Sequence, residues 1–183
     1  MPAGQLLLLT GSPGCGKTTV APLVADLHPL SAYLDLDCFF AKLRTGAIEP
    51  WRTKAHQQNR VVLSAAAAAL TAFAAGEYFT IGEGILYPNM VDLFSATCEP
   101  LGLDLNYAVR EAPLDVVHRR VEGRTTDPEH AGALADAAVI DDLWALFEGL
   151  GVEERHRVDS GRQAPRTVAE EIDRRLQSGD FLL

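Results

Sequence analysis

Four leucines in a row, Leu6 to Leu9, stand between Gln5 and Thr10 with no polar residue to interrupt them. A run this short and this apolar, met at once by Gly11, predicts a strand covered on both faces, as in the middle of a parallel sheet flanked by helices. Similar runs recur and alternate with helical patterns. Ser31 to Leu36 predicts a second strand, Glu77 to Gly84 a third, Leu103 to Val109 a fourth and Arg155 to Val158 a brief fifth. The first helix is expected from about Gly16 to Leu27, bent at Pro22, which has no N–H for the carbonyl four residues back. A short helix over Cys38 to Thr45 follows, then a long one from about Arg52 to Ala75 with an alanine-rich centre and Gly76 just past its end. Further helices are predicted from Pro88 to about Cys98, after Pro113, and over Leu134 to Leu150, where Leu143, Leu146, Phe147 and Leu150 share a face. Thr167 to Gln177 closes the pattern, with Thr167 as N-cap and Glu170 as its capping-box partner. Five strands alternating with helices define an α/β protein with a parallel sheet and right-handed crossovers.

Immediately after the first strand the sequence reads Gly11, Ser12, Pro13, Gly14, Cys15, Gly16, Lys17, Thr18, Thr19. This is G-x-x-x-x-G-K-[ST], in the strand-before, helix-after setting that the motif requires. Binding a triphosphate tail needs several donors converging on a small volume. Glycines let the backbone curl until successive N–H groups point inward, and the helix that follows offers its positive dipole end. In that geometry Lys17 reaches the β- and γ-phosphates and the Thr18 hydroxyl is placed to hold Mg²⁺. ATP and Mg²⁺ are therefore the expected ligands.

The remaining candidates stand at strand tips, where open α/β sheets form their ligand crevice. Asp35 and Asp37 project to one side if the strand geometry persists. One would assist Mg²⁺ and the other accept a proton from an acceptor hydroxyl, while Asp37 also suits the N-cap of the helix that follows. Glu83 sits between two glycines at the tip of the third strand, either as a site carboxylate or as a structural one satisfied by backbone donors. Phe39, Phe40 and Trp51 fit an acceptor pocket or plain core, and His56, Gln57 and Arg60 lie within reach of it. Arg110 at the tip of the fourth strand either touches a phosphate or pairs with an aspartate. Arg120 and Arg124, four apart, share a helical face at the base of a polar stretch, TTDPEHAGA, read as a flap. They would close over ATP and stabilise transferring charge, or form a solvated face. The loop Asp159 to Arg162 is a place for adenine.

Composition narrows the setting. The 183 residues suit one domain, 1–183, with a short lid at about 122–133. A net charge of -9 opposes binding to long polyanions, so no nucleic-acid partner is expected. Three cysteines without a C-x-x-C pair favour a reducing cytoplasm, and the leucine run is too short to span a bilayer. A monomer or homodimer acting on a small molecule is the expected partner state.

These features together resemble the small bacterial phosphate-loop kinases, a group that includes shikimate and gluconate kinases, adenylate-kinase-like enzymes and chloramphenicol phosphotransferase. The segment DCFFAKLRTGAIEPW looks most like bacterial ATP-binding proteins called AAA-type ATPases. The resemblance implies a three-layer α/β/α P-loop NTPase fold with sheet order 2-3-1-4-5. It also implies Lys17 on the phosphates, Thr18 on magnesium, Asp35 or Asp37 as metal helper or base, and Arg120 with Arg124 in the lid. The expected activity is transfer of the γ-phosphoryl group of ATP to a small-molecule hydroxyl; the alternatives are a nucleotide-dependent regulatory protein or slow ATPase, and a kinase of nucleic-acid ends. No family-specific acceptor motif is present, so Asp37, Phe40, Trp51 and Glu83 are candidate acceptor contacts on position alone.

Overall fold

A computed structural model of the chain describes residues 4–125, 136–159, 161 and 163–183. In chain order the elements are β1 (Gln5–Gly11), α1 (Lys17–Ala25), β2 (Ser31–Asp35), α2 (Asp37–Phe40), α3 (His56–Ala75), β3 (Phe79–Glu83), α4 (Pro88–Cys98), β4 (Asp104–Glu111), α5 (Leu114–Thr125), α6 (Ala137–Glu148), β5 (Arg157–Asp159) and α7 (Pro165–Gln177). All five strands pair in parallel in the order β2-β3-β1-β4-β5, as the family resemblance implies.

The leucine run shows why β1 is central. Its side chains alternate across the sheet, so Leu6 and Leu8 enter one core with Leu63, Leu70 and Phe94 from α3 and α4. Leu7 and Leu9 enter the other with Val20 and Val24 of α1 and Val168 and Ile172 of α7. All four leucines are fully buried, each worth about 1.5–3 kcal/mol of burial, which pins the strand and hence the turn that leaves it. A smaller cluster holds Cys15 of that turn against Val117 and Val121 of α5 and Ile140 of α6.

The elements depart from expectation mainly at their ends. The second helix is a single turn, because Leu36 already has helical backbone and the chain leaves the helix after Phe40. Helix α1 runs through Pro22, whose missing N–H falls opposite the carbonyl of Thr18 in the first turn. Thr167 is not an N-cap: α7 starts two residues earlier with Pro165 in its first turn, so no capping box forms. Phe181 is fully buried, and Leu182 bridges antiparallel to Asn106, so the tail docks on the β4 edge of the core. The flap over residues 126–133 lies outside the described residues, as does the side chain of Arg124. No described helix is long and apolar enough to cross a membrane.

Candidate active site

The parallel register sends β1, β2 and β3 out at the same edge, and this edge carries the site. Gly11, Gly14 and Gly16 all adopt positive φ, at 145°, 76° and 95°. Between them the chain makes one compact turn, with the Cys15 N–H donating to the Ser12 carbonyl at 3.3 Å, and α1 begins at Lys17. The backbone at Gly11 admits no side chain: a Cβ there would lie 2.2 Å from the Arg110 carbonyl oxygen and 2.8 Å from Cys15 Sγ. That carbonyl belongs to β4, paired to Gly11 in the sheet, and cannot retreat. Gly11→Ala is expected to destabilise the protein by more than about 2 kcal/mol and to abolish nucleotide binding, as read by denaturant unfolding and calorimetry.

Lys17 is buried, and its ammonium donates to the carbonyls of Gly11 at 2.9 Å and Ser12 at 3.1 Å. Its charge therefore stands inside the curl of the loop. The outer side of the loop is held by two guanidinium groups. Arg110, buried at the tip of β4, donates to the Gly16 carbonyl at 2.7 Å. Arg120 of α5 donates to the carbonyls of Cys15 at 3.1 Å and Gly14 at 3.4 Å. Burial pulls the Arg110 guanidinium down to about 10; Cys15 and Asp159 oppose that pull, and the neighbouring Arg120 charge adds to it. The two arginines line a second cavity of about 270 Å³ with Gly16, Thr19, Val20, Gln163 and Pro165.

Across the crevice, Glu83 is buried and its Oε1 accepts from the Thr18 hydroxyl at 3.0 Å and from the Tyr33 hydroxyl at 3.4 Å. Burial pushes its carboxyl up, Lys17 and the Thr18 hydrogen bond pull it down, and Asp35 and Asp37 add to the rise. Asp35 hydrogen-bonds elsewhere. Its Oδ1 accepts the Asp37 N–H at 2.8 Å and its Oδ2 the Cys38 thiol at 3.6 Å. The helical turn at Leu36 ends the strand alternation, so the two aspartates have different surroundings. Asp35 thus makes the hydrogen bond that holds the start of α2, and Asp37 is not the N-cap. Asp37 instead lines the main cavity. It is solvent-exposed there, yet the concave walls displace enough water to raise its carboxyl, helped by the Asp35 charge and opposed by Lys17.

That main cavity, about 380 Å³, joins Lys17, Thr18, Asp37 and Glu83 to Phe40, Pro50, Trp51, Asn59, Leu63, Tyr87 and Met90. It brings together Phe40, Trp51, Asp37 and Glu83. His56, Gln57 and Arg60 are exposed and outside it; Asn59 and Leu63, one turn apart on α3, take that place. Tyr33 and Asn59 are additions to the site. Tyr33 was readable from period-two alternation with Asp35 on β2, whereas Asn59 had no signal beyond its helical spacing to Leu63.

A five-stranded parallel sheet in this order, flanked by helices and with the glycine-rich turn leaving its central strand, makes the chain a P-loop NTPase-like α/β protein. A family model described as AAA domain matches residues 6–150, and the chain belongs to that family. No curated protein sequence matches it. Solved structures share the fold at low identity. A sugar kinase from Janibacter sp. is 21% identical over 95% of each chain, with a TM-score of 0.66. The APS kinase of Mycobacterium tuberculosis, in complex with AMPPNP and APS, is 21% identical over 97% of this chain and 99% of its own, with a TM-score of 0.68. Shikimate kinase from Acinetobacter baumannii, in complex with shikimate, is 18% identical over 96% and 94%, with a TM-score of 0.64.

Proposed function

We propose that the protein is an ATP- and Mg²⁺-dependent phosphotransferase that moves the γ-phosphoryl group to a hydroxyl of a small molecule. The observation that carries this reading is one cavity holding the inward ammonium of Lys17, the Thr18–Glu83 hydrogen bond, and a separate carboxylate, Asp37, beside an apolar wall. A slow ATPase would not need that enclosed apolar chamber beyond its phosphate loop. The fold shared with small-molecule kinases, one of them in complex with AMPPNP, agrees with it.

The roles follow from placement. The loop N–H groups from Gly14 to Thr18 and Lys17 bind the phosphates, and Arg120, from behind the loop, stands where α5 leads to residues 126–133. The arginine-lined cavity beside Thr19, Gln163 and Pro165 suits the nucleoside end; of the loop from Asp159 to Arg162, Ser160 and Arg162 lie outside the described residues, and Asp159 acts electrostatically on Arg110. Thr18 and Glu83 offer hard oxygens that fit Mg²⁺. The ion would neutralise charge on the phosphates. Glu83, by its contact with Thr18, takes the part that the sequence offered to Asp35. Asp37 receives the proton of the acceptor hydroxyl as its oxygen bonds to the γ-phosphorus. The bond from that phosphorus to the β,γ-bridging oxygen breaks, and ADP leaves.

Calorimetric titration of the purified chain with Mg²⁺ and AMPPNP tests the foundation. A one-to-one binding isotherm is expected, and its absence would overturn the phosphotransferase reading.

A further inference from the structure

The walls of the main cavity narrow the class of acceptor, an inference that rests on the phosphotransferase reading. Among its described lining residues Lys17 is the single cation, and it is committed to the phosphate loop. Two carboxylates, Asp37 and Glu83, stand at the same end. The guanidinium groups at the phosphate loop, Arg110 and Arg120, are bonded to its carbonyls and line the other cavity. An acceptor carrying a carboxylate, sulfate or phosphate would thus meet negative charge with no arginine fork among the described lining residues to pair it.

The rest of the lining is apolar and aromatic. Phe40, Tyr87 and Met90 are half-buried in it, and Trp51 stands 44% exposed at its wall, a large indole surface that the fold leaves uncovered. One polar fixture interrupts this surface. Asn59 gives its amide nitrogen to the Pro50 carbonyl at 2.7 Å, which fixes which way the amide points, and its Oδ1 is left with no hydrogen-bond partner among the described residues. A buried acceptor without a donor is costly, and this one is covered by protein.

We propose that the acceptor is an uncharged or cationic hydroxyl compound with a large aromatic or aliphatic surface, and that anionic metabolites are disfavoured. Aromatic stacking on Trp51 orients it, and its hydroxyl is directed to Asp37.

The test uses the full chain saturated with Mg²⁺ and ADP, titrated calorimetrically with matched hydroxyl compounds: methyl mandelate against mandelate, methyl shikimate against shikimate, and 2-amino-1-phenylethanol. The uncharged or cationic members are expected to bind at least about ten-fold more tightly than the carboxylates. Trp51→Ala, at an exposed position outside the core clusters, should weaken the aromatic members by about three-fold or more and leave ADP affinity unchanged. Carboxylates binding as tightly as their esters, no heat from any uncharged or cationic member, or an unaltered affinity in Trp51→Ala each overturns the acceptor class. ADP binding retained in such a result leaves the phosphotransferase reading standing; ADP binding absent from the outset removes both.

Discussion

On the proposed phosphotransferase reading, Lys17→Ala is expected to abolish phosphoryl transfer for practical purposes, with kcat lowered by about 10²–10³-fold, the cost typical of removing one donor from charge developing in a transition state. Two effects combine. The ammonium is the charge that the loop places inside its own curl, buried and 2.9 and 3.1 Å from the carbonyls of Gly11 and Ser12. Without it, those carbonyls face the phosphates with nothing between, and nucleotide affinity falls by about 10–100-fold, as expected for a charged hydrogen-bonding group. The fold should survive, because Lys17 opens α1 and alanine is a strong helix former there. Steady-state ADP release, together with an unchanged far-ultraviolet dichroism spectrum, separates the two effects. A variant that turns over at the parental rate would take the loop out of the chemistry.

Asp37→Asn is the second large effect, and its signature differs. The residue lines the same cavity as Thr18 and Glu83 but hydrogen-bonds to neither, so nucleotide affinity should stay near its original value while kcat falls by about 10²–10⁴-fold, the range for losing a general base. The pH profile gives a further reading. Displaced water and the adjacent Asp35 hold the Asp37 carboxyl above the ordinary aspartate range, with Lys17 pulling the other way. A base works only when ionised, so kcat should fall as pH drops through that raised value, and the asparagine variant should lack this acid limb. Equal turnover in the two proteins would reduce Asp37 to part of the wall.

Much of the fold was legible because its strongest signals are local. Leu6 to Leu9 states a doubly covered strand, and the glycine spacing up to Lys17 and Thr18 states the turn that follows. Both depend on residues adjacent in the chain. Helix ends were less legible, as at Thr167, because Pro165 fixes a helical φ two residues earlier and outweighs a threonine cap. Roles of the carboxylates were the hardest to read. Asp35, Asp37 and Glu83 have the same chemistry and all stand at strand tips, and what separates them is contact across the sheet. Thr18 reaches Glu83 over 65 residues of sequence, and the single helical backbone at Leu36 turns Asp35 toward a main-chain amide instead. Arg110 was undecidable for the same reason: its partner, the Gly16 carbonyl, is 94 residues away.

The pair of arginines behind the loop has a consequence for how the cradle meets an anion. With the carbonyls of Cys15 and Gly16 tethered outward, the amide hydrogens of Gly16 and Lys17 on the same peptide planes point the opposite way, into the curl of the loop, while the Cys15 N–H is held by the Ser12 carbonyl. Such a receptor is preorganised. Capture then loses little main-chain entropy, and the association should carry a small ordering penalty compared with loops that must first coil around their guest.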